Sequence, residues 1–344
     1  HRNIKKFFSQ AQMFGFTGTP IGVENSQSKA GLKLTTDYLF HKCLHHYVIV
    51  DAIRDRNVLQ FQIDYRGKYT LSQNPLNPPS QGLDALNSLP AKGGLGRVEE
   101  VEGIDTQELY DNPKRLEMIA RHIVDHHDTK TRNREFTAMF CVSSVETLTQ
   151  YYDLFEKVQA EKQIEDEAQG RIFKPLTIAT IFSYAANEAV PTDDLNGLIH
   201  EEAADIPSQV NSSSRDKLDR YIANYNRQFK TNYNSGDQFY AYYRDIAQRV
   251  KNRQIDILIV VNMFLTGFDS KPLNTLYVDK NLKYHGLIQA FSRTNRVYND
   301  KKPFGNIICF RNLKRATDEA LALFSNKETT KIVLVPSYAE IEQD

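Results

Sequence analysis

Five short apolar segments, separated by longer amphipathic ones, constrain this chain more than anything else in it. They are Thr137-Ala138-Met139-Phe140-Cys141-Val142, Leu176 to Phe182, Ile255 to Val261, Thr275 to Val278 and Asn306 to Phe310. Strands without polar alternation are covered on both faces, which with helices in between means a parallel sheet. The intervening segments have helical spacing: Val145 to Glu161 sets Leu148, Tyr151, Tyr152 and Phe155 on one side, and Lys217 to Phe229, Phe239 to Val250 and Gly286 to Arg296 follow. The expected fold class is α/β, a parallel sheet flanked by helices.

The first third is less regular. A helix is expected from Ile4 to Gln12 and a short strand over Met13 to Phe16, stopped by Thr17-Gly18-Thr19-Pro20. A helix over Asp37 to Arg54 and a half-buried strand over Val58 to Tyr65 come next. From Ser72 to about Gly103 the pattern gives way to Asn74-Pro75, Pro78-Pro79 and Gly93-Gly94-Leu95-Gly96, which read as a linker or surface insertion. Helical periodicity returns from Thr106 to Asp125, and a domain boundary is expected near Thr129 to Arg134. The chain starts at His1 without a methionine, which points to a piece of a longer protein.

Lysine plus arginine and aspartate plus glutamate both number 43, so any nucleic-acid track must be a local patch rather than a basic domain. Cys43, Cys141 and Cys309 form no CxxC pair, and Cys141 and Cys309 lie in apolar runs, as buried reduced thiols of a cytoplasmic protein would. The longest apolar run, Ile257 to Leu265, is interrupted by Asn262, so no membrane span is expected.

The chemistry concentrates between Thr266 and Arg296. Gln289, Arg293 and Arg296 are four and three residues apart and would share one face of a helix. A guanidinium keeps its charge and offers a planar fork of donors that matches phosphate oxygens. Thr266-Gly267-Phe268-Asp269 follows a strand end, where loops of parallel sheets build ligand sites. Glycine permits close backbone approach there, threonine can bond a phosphate, and aspartate can orient an arginine.

These residues resemble superfamily 2 DNA translocases, and most closely the R (HsdR) subunit of type I restriction-modification enzymes. Phe14 to Ile21 looks like that family's motif III, Asp256 to Asp269 its motif V, and His285 to Arg296 its motif VI, with Ser292 where most relatives carry glycine. Further likeness lies in Tyr47 to Asp64, Val142 to Ser144 and Ile178 to Glu188, and His1-Arg2 looks like the tail of motif II. The resemblance implies RecA-like lobes: the end of a first lobe over residues 1–70, an insertion and linker over 71–134, a nearly complete second lobe over 135–325, and the start of a C-terminal extension over 326–344. It implies Arg293 and Arg296 as arginine fingers, Gly267, Asp269 and Gln289 lining the ATP cleft, and Thr17, Thr19, Ser143 and Thr266 near DNA. ATP and Mg²⁺ are the implied cofactors. Double-stranded DNA and the methyltransferase and specificity subunits are the implied partners. No GxxxxGK[ST] loop and no nuclease segment is present, so the piece alone is expected to be inactive. A repair or remodelling helicase of the same superfamily, or a catalytically silent DNA- or subunit-binding module, are the alternatives.

Three weaker signals favour ordinary roles. His41, His45 and His46, and His122, His126 and His127, have helical spacing but lack the glutamate of HExxH, so no metal site is expected. Gly93 to Gly96 lacks the lysine of a phosphate loop. Tyr221, Tyr225, Tyr240, Tyr242 and Tyr243 suit helix packing better than base stacking.

Overall fold

The computed structural model describes residues 7–8, 10–12, 14–16, 28–29, 32–33, 35–40, 43–45, 47–66, 110–182, 212–265, 267–324 and 330–335. A two-stranded antiparallel ribbon, β1 (Ser28–Lys29) and β2 (Leu32–Lys33), precedes the main body. Six parallel strands make one sheet: β3 (Phe61–Tyr65), β4 (Thr137–Val142), β5 (Ile178–Ile181), β6 (Ile257–Val260), β7 (Leu273–Asp279) and β8 (Gly305–Cys309). Their spatial order is β3-β8-β7-β4-β6-β5. Every residue of β4, β6 and β7 is buried, as their lack of alternation requires. This is the α/β parallel sheet expected from the apolar runs, in the RecA-like architecture that the resemblance implies.

The helices are α1 (Thr36–Phe40), α2 (Ile49–Arg54), α3 (Pro113–Lys130), α4 (Val145–Ala168), α5 (Ser212–Phe229), α6 (Phe239–Lys251), α7 (Tyr284–Phe291), α8 (Lys314–Phe324) and α9 (Thr330–Val333). Asn112 caps α3 by accepting from the amides of Lys114 and Arg115, with Pro113 in the first turn. The helix expected from Thr106 to Asp125 thus has a described part that runs on to Lys130, and residues 106–109 lie outside the described residues. Ser144 caps α4 through the Thr147 amide at 3.1 Å. The helix expected over Asp37 to Arg54 is two, because the Asp51 carboxylate accepts the Val48 amide and starts α2 afresh.

Tyr221, Tyr225 and Tyr242 are buried. The rings of Tyr152 and Tyr221 pack at a tilt with centroids 4.2 Å apart, and Tyr242 donates to the Thr180 carbonyl of β5, so this aromatic set is helix packing. Phe14 and Phe16, expected in a strand, are exposed and lie outside any regular element. Cys141 and Cys309 are buried, and burial pushes the Cys141 thiol up to about 12. The chain division expected at residue 70 falls after β3. β3 pairs residue for residue with β8, Phe61 with Gly305 through Tyr65 with Cys309, so it is an edge strand of the same sheet as all the later strands. Gly93 to Gly96, His41 and His46 lie outside the described residues.

Candidate phosphate-facing site at the amino edge of the sheet

The expected helix over Gly286 to Arg296 stops at Phe291, and this changes how the arginines are presented. The Thr294 hydroxyl donates to the Phe291 carbonyl at 2.8 Å, and the amides of Arg293 and Thr294 reach Ala290 and Phe291. These short-range bonds close the last turn and end the helix. Thr294 and Asn295 are then buried against the start of β8. A Cβ on Gly305 would run into Thr294, so glycine is required for that close approach. Arg293 and Arg296 consequently project from a turn, not from one helical face.

That turn closes on the loop between β6 and β7. Arg293 donates from Nη1 to the Phe268 carbonyl at 2.5 Å and from Nε to the Gln289 carbonyl at 3.1 Å. Among the described residues it has no carboxylate partner. Burial lowers its pKa, Arg296 adds to the effect, and Asp269 opposes it. Arg296 pairs with Asp269 at 3.0 Å, with both side chains about half exposed. Gly267, at φ 72°, takes the left-handed conformation that turns the chain between Phe264 and Asp269. Lys302 is buried just beyond, with Nζ 2.8 Å from each of the Lys271 and Leu273 carbonyls. The backbone also grips the turn from the other side: Val58 bridges Arg296, and the Leu59 amide donates to the Asn295 carbonyl at 2.7 Å.

Arg293, Arg296, Gly267, Asp269 and Gln289 are thus brought together as expected, but at another edge of the sheet. The usual rule places ligand loops at the carboxyl ends of parallel strands. Here the described residues between β6 and β7 carry no helix, and this segment returns the chain from the carboxyl end of β6 to the amino end of β7. The cluster therefore assembles near the amino ends of β7, β8 and β3. Ser143 lies at the opposite edge, just after β4, where its hydroxyl is 3.1 Å from that of Thr147. Thr17, Thr19 and Thr266 are outside the described residues.

The carboxyl edge holds a second group that sequence reasoning missed. The connection after β4 leads to β5 on one side, and that after β7 leads to β8 on the other, which makes a crevice between β4 and β7. Asp279 ends β7 there, wholly buried, and accepts from Arg115 at 2.5 and 3.1 Å, from Arg311 at 2.9 Å and from Tyr151 at 2.7 Å. Burial alone would raise its pKa. The hydrogen bonds and charge of Arg115, with Arg311 and Tyr151, hold it below the ordinary carboxylate value instead. Tyr110 covers Arg311, its ring centroid 3.5 Å from the guanidinium carbon. Arg115, Asp279 and Arg311 are widely spaced in sequence, so only the fold reveals the group. His122 and His126 stack on each other at 4.2 Å. Among the described residues no group of three or more His, Cys, Asp or Glu is placed to hold a metal ion.

Comparison with known proteins gives the cluster its context. Residues 134–312 match the family described as type I restriction enzyme subunit R domain 3, and residues 1–81 match the SWI2/SNF2 ATPase family. The chain is 43% identical over 347 residues to a type I restriction enzyme endonuclease subunit of Staphylococcus aureus strain COL, covering 100% of this chain and 32% of that protein. It is 44% identical over 348 residues to the corresponding subunit of Staphylococcus saprophyticus, again covering 100% of this chain and 32% of that protein. The HindI endonuclease subunit of Haemophilus influenzae is 24% identical over 302 residues, covering 87% and 23% of the two chains. A solved fragment assigned to an HsdR subunit of a type I restriction enzyme from Vibrio vulnificus YJ016 superposes with a TM-score of 0.50 at 13% identity, over 94% of this chain and 43% of that one, and shares its fold. The chain spans about a third of the length of the staphylococcal relatives. With its amino-terminal part in a SWI2/SNF2 ATPase match and five of the six strands of its sheet in a domain of the restriction subunit, this chain belongs to the endonuclease (R) subunits of type I restriction enzymes.

Proposed function

We propose that this chain supplies the second RecA-like half of the ATP-driven DNA translocase motor of a type I restriction subunit. The observation that carries the reading is Arg293, drawn into a half-buried turn, bonded only to carbonyl oxygens and kept from any carboxylate among the described residues. A guanidinium held so, beside the Arg296–Asp269 pair, suits the charge of a phosphate delivered by a neighbouring lobe.

ATP, when bound, supplies a phosphoryl group whose transfer to water spreads negative charge over its oxygens. Arg293 and Arg296 act as the arginine fingers that meet that charge. Asp269 holds Arg296 until phosphate competes for it, and Gly267 and Gln289 shape the surface facing the nucleotide. Mg²⁺ and most of the triphosphate contacts belong to the first lobe. Ser143 and Thr266, with Thr17 and Thr19 coupling nucleotide state to grip, contact the DNA backbone. Residues 47–66 and 110–324 form the second lobe, the residues before 47 belong with the first, 67–109 are an insertion between them, and a C-terminal extension starts near residue 326. The whole subunit works on double-stranded DNA in the cytoplasm with methyltransferase and specificity subunits. This piece alone does not turn over ATP. Among the described residues no helix is long and apolar enough to cross a membrane.

In a full-length subunit, Arg293→Ala is expected to cut DNA-stimulated ATP hydrolysis by roughly a thousandfold or more, the scale of an arginine finger, while leaving ATP binding largely intact. Turnover unchanged by that substitution would overturn the reading.

A further inference from the structure

The segment from Arg293 to Lys302 meets the loop between β6 and β7 through three cations in succession. Arg293 takes the Phe268 carbonyl, Arg296 takes the Asp269 carboxylate, and Lys302 takes the Lys271 and Leu273 carbonyls. The first two face the proposed phosphate. Lys302 does not: it is 2% exposed and lies beneath the loop. Burying a lysine is costly unless its donors are satisfied, so its place asks for a reason.

The sheet supplies one. β7 begins at Leu273, but its ladder with β8 begins only at Thr275, opposite Asn306. The carbonyls at the start of β7 on that side have no strand to bond. The Thr137 amide takes the Pro272 carbonyl at 3.0 Å, and the Lys302 ammonium takes those on either side of it. All three consecutive carbonyls are thereby held, and the loop's return into the sheet is fixed two to four residues after Asp269. Lys302 is itself set by a tight turn, its amide donating to the Asn299 carbonyl at 3.0 Å. Burial draws the lysine's pKa down to about 7, with Asp269 opposing and Arg296 adding to the shift, so its charge and theirs are felt in common.

We propose that Lys302 is a positioning residue for the arginine fingers: it anchors the loop that carries Phe268 and Asp269, and through that loop sets where Arg293 and Arg296 stand. This rests on the motor reading above. It assigns Lys302 no contact with nucleotide.

The test uses the full-length subunit with its partner subunits and DNA. Lys302→Met keeps the length of the side chain and removes the donors. It is expected to lower kcat for ATP hydrolysis roughly ten- to a hundredfold with KM for ATP changed less than about threefold, since the residue acts on the fingers rather than on binding. Combined with Arg293→Ala, it should lower kcat by less than about twofold further, because the fingers it positions are already impaired. Lys302→Arg, which keeps charge and donors, should retain at least a third of the activity, and it guards against a methionine variant that fails to fold. Wild-type kcat in a folded Lys302→Met protein, the same loss with and without Arg293→Ala, or a folded Lys302→Arg protein as impaired as Lys302→Met would overturn the proposal. If Arg293→Ala is itself fully active, the motor reading falls and the positioning role falls with it. An inactive Arg293→Ala beside a fully active Lys302→Met removes the positioning role alone.

Discussion

His127 shows how far a single residue's behaviour depends on its surroundings. It shares helical spacing with His122 and His126, yet its ring is wholly buried at the carboxyl end of α3, with neither nitrogen hydrogen-bonded among the described residues. Burial lowers its pKa to about 4 from an ordinary 6.5, the nearby Asp128 opposing and Arg134 adding. The unfolded chain therefore binds a proton below pH 6.5 that the folded one refuses until about pH 4. Stability should fall as pH drops through that window, by up to roughly 3 kcal/mol from this residue. Unfolding by denaturant at pH 7 and pH 4.5 should show a smaller difference for His127→Phe than for the native chain. An equal difference would mean that other groups dominate the acid response.

Among the elements, the turn after α7 and the ends of β7 and β8 decide most. The arginines were legible as a pair because their spacing and residue type stand out, but their presentation was not. Spacing predicts a shared helical face, whereas Thr294 bonds back to Phe291 and packs on Gly305, a contact no local pattern announces. The buried Asp279 group was invisible for the same reason, since Arg115 and Asp279 meet only when α3 docks on the sheet. Removing the carboxylate's charge leaves two arginines buried together. Asp279→Asn is accordingly expected to destabilise the six-stranded sheet and its helices by about 3–5 kcal/mol, seen as a lower denaturant midpoint. A midpoint close to the native one would show that water reaches the guanidiniums.

For the molecule as a whole, β3 is the element whose assignment changed most. It lies along β8 and also receives the carboxyl-terminal segment, since the Val335 amide donates to the Phe61 carbonyl and Gln60 donates to the Ile332 carbonyl. Residues 47–66, 293–305 and 330–335 therefore form one continuous packing unit around the arginine turn. A fragment spanning 47–335 should unfold cooperatively. One starting at residue 110 should melt earlier and self-associate, because β8 becomes an uncovered edge. Thermal unfolding with size-exclusion chromatography would reveal equal behaviour if β3 were dispensable.

The class of fold, the set of buried strands and the residue types able to meet a phosphate are written in local patterns, because apolar runs and charged side chains declare themselves within a few residues. Tertiary structure alone decided that the arginines stand on a turn at the amino edge of the sheet, that Lys302 and β3 brace them, and that Asp279 gathers two arginines at the other edge. Each of these depends on which strands become neighbours, and strand order is settled by long-range packing and backbone ladders that no window of sequence contains.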